Sequence, residues 1–254
     1  MAVRPVLLLV ALALLVAGCG GDDETAPTNT TTTTASGETV NVRVYFLREG
    51  KVWPVLREVP KDDEQATWAF SELTRGPTQE GEADLGLSTQ IPTFDGQADS
   101  LEVRNGVARF TSTVTFTDAA YAQIVHTLSQ FPAVRKVVIE GKSRTRADFE
   151  DFTPAILVES PLPFEDVEIP LRVTGTANTF EATFSYELTD TDGLIVDEDF
   201  VTATSGTGTR GTFDFTTKPF TVPFDGVGSL IVFELSAKDG SRINLVEIPL
   251  RMTR

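Results

Sequence analysis

Cysteine, histidine and positive charge are the scarce things in this 254-residue chain. It has one Cys, one His, 21 basic residues against 37 acidic ones, and a formal net charge of −16. One thiol cannot close an internal disulfide, nor can it supply a cysteine-based zinc or iron–sulfur site. One imidazole leaves little room for histidine-based catalysis. The charge argues against nucleic acid as a partner, because neutralising phosphates needs clustered Lys and Arg. Trp and Tyr are also few, at 2 and 3, whereas 17 Phe and a hydrophobic content of 41% suffice to build cores. At about 100–200 residues per domain, the length suits one large domain or two small ones.

What is present starts with residues 1–18. Arg4 is the only charge ahead of Val6–Ala17, an apolar run shorter than the roughly 20 residues of a membrane-spanning helix. The run ends in Val16-Ala17-Gly18-Cys19, with small residues before the only cysteine. This resembles the lipobox of bacterial lipoproteins. The resemblance implies a signal peptide over residues 1–18, cleavage between Gly18 and Cys19, a diacylglyceryl group on the Cys19 sulfur and acylation of the new amino terminus. Two or three acyl chains anchor stably, at about 0.8 kcal/mol per buried methylene. The alternative is a plain secretory signal with Cys19 incidental. After Cys19 no residue up to Gly37 is an aliphatic or aromatic larger than Ala or Pro, and Asp22-Asp23-Glu24 precede a run of Thr30 to Thr34. Residues 19–37 read as a disordered acidic, Thr-rich tether, which cannot bury enough apolar surface to offset the entropy of ordering. The expected location is outside the cytoplasm, on the cell membrane.

Residues 38–153 read as an α+β domain. Val40, Val42, Val44 and Phe46 alternate as in a half-buried strand, and Gly50-Lys51 turns into Val52–Val59. Asp62 is the expected N-cap of a helix on which Ala66, Ala69, Phe70 and Leu73 share a face, stopped by Gly76-Pro77. Leu101–Val103 and Val107–Thr117 are expected strands joined through Asn105-Gly106. Asp118 is the expected cap of a second helix carrying Tyr121, Ile124, Val125 and Leu128, and Val134–Glu140 is a short strand. The order is βαββαβ-like, two helices on one face of a small sheet. Val44-Tyr45-Phe46, Arg57, Gly76-Pro77, Ile91-Pro92, Asn105-Gly106-Val107-Ala108 and Thr127-Leu128-Ser129-Gln130-Phe131-Pro132-Ala133-Val134 resemble, in order and spacing, the GerMN domain of sporulation and germination lipoproteins. The segment Ser88-Thr89-Gln90 departs from the small residues usual there. The resemblance implies a non-enzymatic domain that works by protein–protein contact in cell-envelope assemblies.

Residues 154–254 read as an all-β sandwich, strand after strand with turn residues every 8–12 positions. Expected strands include Ile156–Val158, Ile169–Val173, an alternation from Phe180 through Ala182, Phe184 and Tyr186 to Leu188, Leu230–Ala237 and Ile243–Leu250. The segment has neither Cys nor Trp, so it lacks the core of an antibody-type domain. Val173-Thr174-Gly175-Thr176-Ala177, Phe180-Glu181, Gly211-Thr212-Phe213 and Asp239-Gly240 resemble the Gmad-type immunoglobulin-like domain of spore germination. That domain often follows a GerMN domain.

Candidate chemistry is thin. His126 has no Gly-x-Ser-x-Gly elbow anywhere in the chain to serve, and it reads as structural. Paired carboxylates could run glycoside hydrolysis, but most acids fall at strand ends and turns. Asp190-Thr191-Asp192-Gly193 with Asp197, Glu198 and Asp199 hints at calcium. On an EF-hand loop, however, position 1 would be Leu188, so a β-hairpin turn explains the run better. Thr204–Gly211 reads as a flexible loop without the Lys of a phosphate loop. Lys142, Arg144 and Arg146 form the one basic cluster, a solvated turn or a face for an acidic partner or an anionic wall polymer. No cofactor, metal or catalytic residue is expected. The expected function is a lipid-anchored, non-catalytic adaptor or scaffold of the cell envelope with protein partners, linked to sporulation or germination in an organism that makes spores. The competing class is a lipoprotein that binds peptidoglycan or another cell-wall glycan.

Overall fold

The alternating run at the start of the folded part builds a hairpin, β1 (Thr39–Arg48) with β2 (Lys51–Pro60), in antiparallel register from Thr39↔Pro60 to Arg48↔Lys51. Its two-residue loop, Glu49-Gly50, has φ of 52° and 77°, the positive-φ pair of a primed turn that matches strand twist. The computed structural model describes residues 37–92 and 100–254. The signal, Gly18, Cys19 and nearly all of the tether lie outside the described residues. Residues 37–254 form one compact unit.

Helix α1 (Gln65–Arg75) buries Ala66, Ala69, Phe70 and Leu73, the expected face. Its N-cap is Glu64, not Asp62. Asp62 instead accepts the Glu64 N–H at 2.8 Å and the Trp68 indole N–H at 3.0 Å, so its carboxylate closes the turn that leads into the helix. Strands β3 (Ser100–Arg104) and β4 (Val107–Thr111) pair through Asn105-Gly106, both at positive φ. The second strand stops short of Thr117. The Ser112 hydroxyl bonds both the N–H and the carbonyl of Val114, at 3.0 and 2.8 Å, and so competes with a strand ladder.

Helix α2 (Asp118–Leu128) is capped by Thr117, whose hydroxyl accepts the Ala120 N–H at 3.2 Å. Asp118 is its first helical residue, where a carboxylate favours the helix dipole. Every residue from Ala119 to Leu128 is buried, so the helix is covered all round. Strand β5 (Lys136–Ile139) then runs parallel to β4, and β6 (Lys142–Arg144) completes the four-stranded order β3-β4-β5-β6. A 3-10 segment over Arg146–Phe152 follows. The small sheet expected from sequence is therefore split into the β1-β2 hairpin and this four-stranded sheet. Both helices touch both pieces, α1 through β3 and α2 through β5.

The β-rich part comprises β7 (Ile156–Ser160), β8 (Asp166–Val167), β9 (Arg172–Ala177), β10 (Thr183–Thr189), β11 (Ile195–Thr202), β12 (Gly211–Thr216), β13 (Gly226–Leu235) and β14 (Arg242–Met252). They form a five-stranded sheet β11-β10-β13-β14-β8 and a three-stranded sheet β12-β9-β7. Phe184 and Phe213 meet edge to face between the sheets, with centroids 4.9 Å apart, and Tyr186 lies 4.7 Å from Phe215. The alternation expected from Phe180 onward begins only at Thr183. Glu181 and Ala182 take φ of 55° and 60°, which forms a tight 3-10 turn and leaves Phe180 56% exposed. The buried apolar side chains form one continuous cluster from Val42 to Met252, so the α+β and all-β parts share a core. No helix among the described residues is long and apolar enough to cross a membrane.

Candidate functional site

Among the described residues strand β1 has one strand neighbour, and its other edge is satisfied mostly by side chains. The Gln130 amide accepts the Arg43 N–H at 2.9 Å and donates to the Arg43 carbonyl at 2.6 Å. The Thr127 hydroxyl accepts the Tyr45 N–H at 3.1 Å, and Gln123 donates to the Tyr45 carbonyl at 3.1 Å. Ser88 closes the row with a reciprocal backbone pair to Leu47, both bonds 2.8 Å. The polar residues of the motif around Thr127–Gln130 thus act as a substitute strand, which protects an edge that would otherwise template aggregation. Buried Arg57 ties the hairpin to the next segment, 2.6 Å from the Glu82 carboxylate and 3.6 Å from Glu72.

A polar cluster joins β1, α2 and β7. The Glu159 Oε1 accepts from the Tyr45 hydroxyl and from Arg146 at 2.7 Å, and the Arg43 Nε lies 4.0 Å away. Arg146 also donates to the Ser129 hydroxyl at 2.8 Å and to the His126 carbonyl at 3.2 Å. Burial works to raise the Glu159 carboxyl, but the Arg146 charge and the Tyr45 and Arg146 hydrogen bonds outweigh it and hold it below the usual range. Burial, and next the Glu159 charge, push the Tyr45 phenol well above its ordinary value.

His126 packs beneath this cluster with 1% of its surface exposed. Its Nδ1 lies 2.9 Å from the Ala122 carbonyl, which can only accept, so the ring proton sits on Nδ1. Burial, reinforced by the Arg146 charge, pushes the imidazole down to about 4. The ring is therefore neutral and sealed from solvent, a poor position for chemistry on any substrate. The unfolded chain takes up this proton near pH 6.5 and the folded chain only near 4, so unfolding gains protons between those values. Stability should fall by about 3 kcal/mol as pH drops across that window. His126→Gln should flatten the dependence there while leaving the further loss below pH 4.5 from Glu159. Urea titrations of both proteins from pH 7 to 4 check this, and an unchanged slope in the variant would contradict the burial of a neutral ring.

Arg146 is thus not part of a solvated basic cluster. Of Lys142, Arg144 and Arg146, the last turns inward to Glu159, because the 3-10 segment that follows Thr145 carries it over α2. The run Thr204–Gly211 is likewise not a flexible loop. The Thr207 N–H donates to the Thr179 carbonyl at 2.9 Å, and the Gly208 N–H to the Asn178 side chain at 2.8 Å. Arg210 reaches the Glu150 carboxylate with Nε and a terminal nitrogen, at 3.0 and 2.9 Å, and the Pro154 carbonyl at 2.8 Å, which clamps the 3-10 segment to the sandwich. The acids of the Asp190–Asp199 turn point to different tasks. Asp190 accepts the Asp192 and Leu194 N–H groups at 2.9 and 3.0 Å, whereas Asp197 accepts the Tyr186 hydroxyl at 2.7 Å and the Lys218 ammonium at 3.0 Å. Among the described residues no group of three or more His, Cys, Asp or Glu is placed to hold a metal ion.

The outer face of the five-stranded sheet carries what composition did not reveal. Phe200 on β11 faces Ser185, which faces Phe233 on β13. Arg242 lies over the Phe233 ring at 4.2 Å and pairs with Glu187. Phe200, 68% exposed, and Leu235, 54% exposed, wall an open groove of about 470 Å³ with Glu198 and Asp199 on its rim. Exposed apolar groups clustered within an acidic rim suit contact with another macromolecule. Alternation alone could have marked Phe200 as outward-facing, since it follows the inward Asp197 by an odd number of positions.

Two stretches of the chain match known families. Residues 43–145 match the family described as sporulation and spore germination, and residues 155–241 match the immunoglobulin-like domain of bacterial spore germination. Neither description names a catalytic activity. Among solved structures, the chain is similar to the tandem GerMN domains of the sporulation protein GerM from Bacillus subtilis. That likeness has 24% identity and a TM-score of 0.32, and covers 47% of this chain and 43% of the other. No curated protein matches. Residues 43–145 are thus similar to the sporulation and spore germination family, and residues 155–241 to the immunoglobulin-like domain of bacterial spore germination.

Proposed function

We propose that this protein is a lipid-anchored, extracytoplasmic, non-catalytic adaptor of the cell envelope, serving sporulation or germination where the organism makes spores. The supporting observation is the groove walled by Phe200 and Leu235, which offers an apolar contact inside an acidic rim while the lone imidazole is sealed in the core. The partner surface that fits it presents an apolar side chain flanked by Lys or Arg. Cys19 provides the attachment through its acylated sulfur, and the acidic residues after it keep the tether off anionic headgroups, so the acyl chains alone hold the protein. Cys19→Ala should abolish lipid labelling, leave the precursor unprocessed by the lipoprotein peptidase and release no mature form into the membrane fraction. Maturation of the variant at the same site, with membrane retention, would overturn the anchor.

A further inference from the structure

A second cleft, of about 470 Å³, opens between the β1–β2 turn, the segment around Thr153–Ala155 and the start of β14. Its size is that of small-ligand sites, about 300–1,000 Å³. Two cations face it without a carboxylate partner among the described residues, although the chain carries a net charge of −16. The Arg48 guanidinium lies over the buried Trp53 ring, 4.6 Å from its centroid, and among the described residues it makes no ion pair or side-chain hydrogen bond, so its N–H groups remain available. Lys51 donates one hydrogen to the Asp151 carbonyl at 2.6 Å and keeps two. Arg210 also lines the cleft, but Glu150 neutralises it, and exposed Glu49 stands at the mouth.

The part of the lining contributed by β14 has a different character. Asn244 takes φ of 53° and gives its amide N–H to Glu234 at 2.8 Å, leaving the amide oxygen as an acceptor. Leu245 beside it is 52% exposed and supplies an apolar surface. A ligand matching both parts of the lining carries a carboxylate, an N–H donor and a small apolar group. We propose that this cleft binds the free carboxy terminus of a short peptide ending in a small residue such as alanine. The carboxylate is held by Arg48 and Lys51, the terminal amide N–H by Asn244, and the terminal side chain by Leu245. This site is independent of the adaptor reading, because it lies apart from the Phe200 groove and shares none of its residues.

Titration of the full-length chain in detergent micelles with N-acetyl-alanyl-alanine, followed calorimetrically, tests this. The free acid should bind, its carboxamide should bind at least about tenfold more weakly, and Arg48→Ala with Lys51→Ala should cost a similar factor, since each charge-assisted hydrogen bond lost is a large effect. Lys51→Arg should retain binding, and lower salt should tighten it. A melting temperature of the double variant equal to that of the parent excludes misfolding as the cause. If the amide binds as well as the acid, if the double variant binds unchanged, or if no binding occurs up to millimolar ligand, the assignment fails. Binding of N-acetylmuramic acid in preference to the peptide would also overturn it, in favour of an acidic sugar.

Discussion

Replacing Glu159 by Leu should lower the stability of the folded part by about 3 kcal/mol, and Glu159→Gln should cost clearly less. Removing one partner of a buried ion pair typically costs about 3–5 kcal/mol, because the other charge is left without compensation. Here the stranded group is Arg146, whose side chain keeps 28% exposure and recovers some hydration, which places the effect at the lower end. The Tyr45 hydroxyl, in a side chain with no exposed surface, loses its acceptor in the same step. Gln keeps an oxygen for both donors and gives up only the charge. At roughly 2–4 °C per kcal/mol for a unit of about 150–250 residues, the Leu variant should melt about 10 °C lower. Because the cluster joins β1 and α2 to β7, the variant should also lose the single cooperative transition expected of a shared core. A Leu variant that melts with the parent would mean that the cluster contributes nothing to the junction.

Gly175→Ala should be at least as damaging, by about 3 kcal/mol or enough to prevent folding. Gly175 sits on β9, the middle strand of its sheet, opposite Val158 on β7 and Phe213 on β12. A methyl group there would lie 2.1 Å from the Leu157 carbonyl oxygen and 2.6 Å from the Phe213 ring. The ring can rotate away, but the carbonyl belongs to the neighbouring backbone and moves only if β7 parts from β9. Overpacking against side chains costs about 1–3 kcal/mol, and backbone resists more. Gly193→Ala is the control. Its φ is +79° with nothing within 4 Å of the added carbon, so it should cost only the left-handed penalty of about 1–2 kcal/mol. Urea unfolding of both variants ranks them, and a Gly175→Ala protein as stable as Gly193→Ala would contradict the close approach of the two strands.

The motif carrying Gly175 was legible in the sequence, and so were both helices and the Asn105-Gly106 hairpin, because each rests on local spacing or on a turn that demands positive φ. The reason for the glycine was not legible, since it lies in the Leu157 carbonyl across the ladder. The caps lie one or two residues from the expected positions: at α2 the Thr117 hydroxyl serves in place of its neighbour Asp118, and at α1 the Asp62 carboxylate bonds the turn ahead of a helix whose N-cap, Glu64, makes no side-chain cap bond. The functional surfaces were the least visible. Glu159, Arg48 and Arg210 are single residues whose partners Tyr45, Trp53 and Glu150 lie between 5 and 114 positions away, and Phe200 is brought near Phe233 only through Ser185 on the strand between them. The basic run at Lys142–Arg146 misled for the same reason: its third member finds a carboxylate on the next domain, which no local pattern announces.

Under the proposed function, a membrane-anchored chain would meet an envelope protein through the outer face of its immunoglobulin-like sheet. The most direct measurement places a photo-crosslinking amino acid at position 200 of the full-length protein in its own cells and identifies the adducts. One dominant adduct with an envelope protein is expected, lost on Leu235→Asp and on Cys19→Ala, and absent when the crosslinker stands at exposed Lys238 instead. Equal labelling from both positions, or an adduct that survives both substitutions, would contradict it.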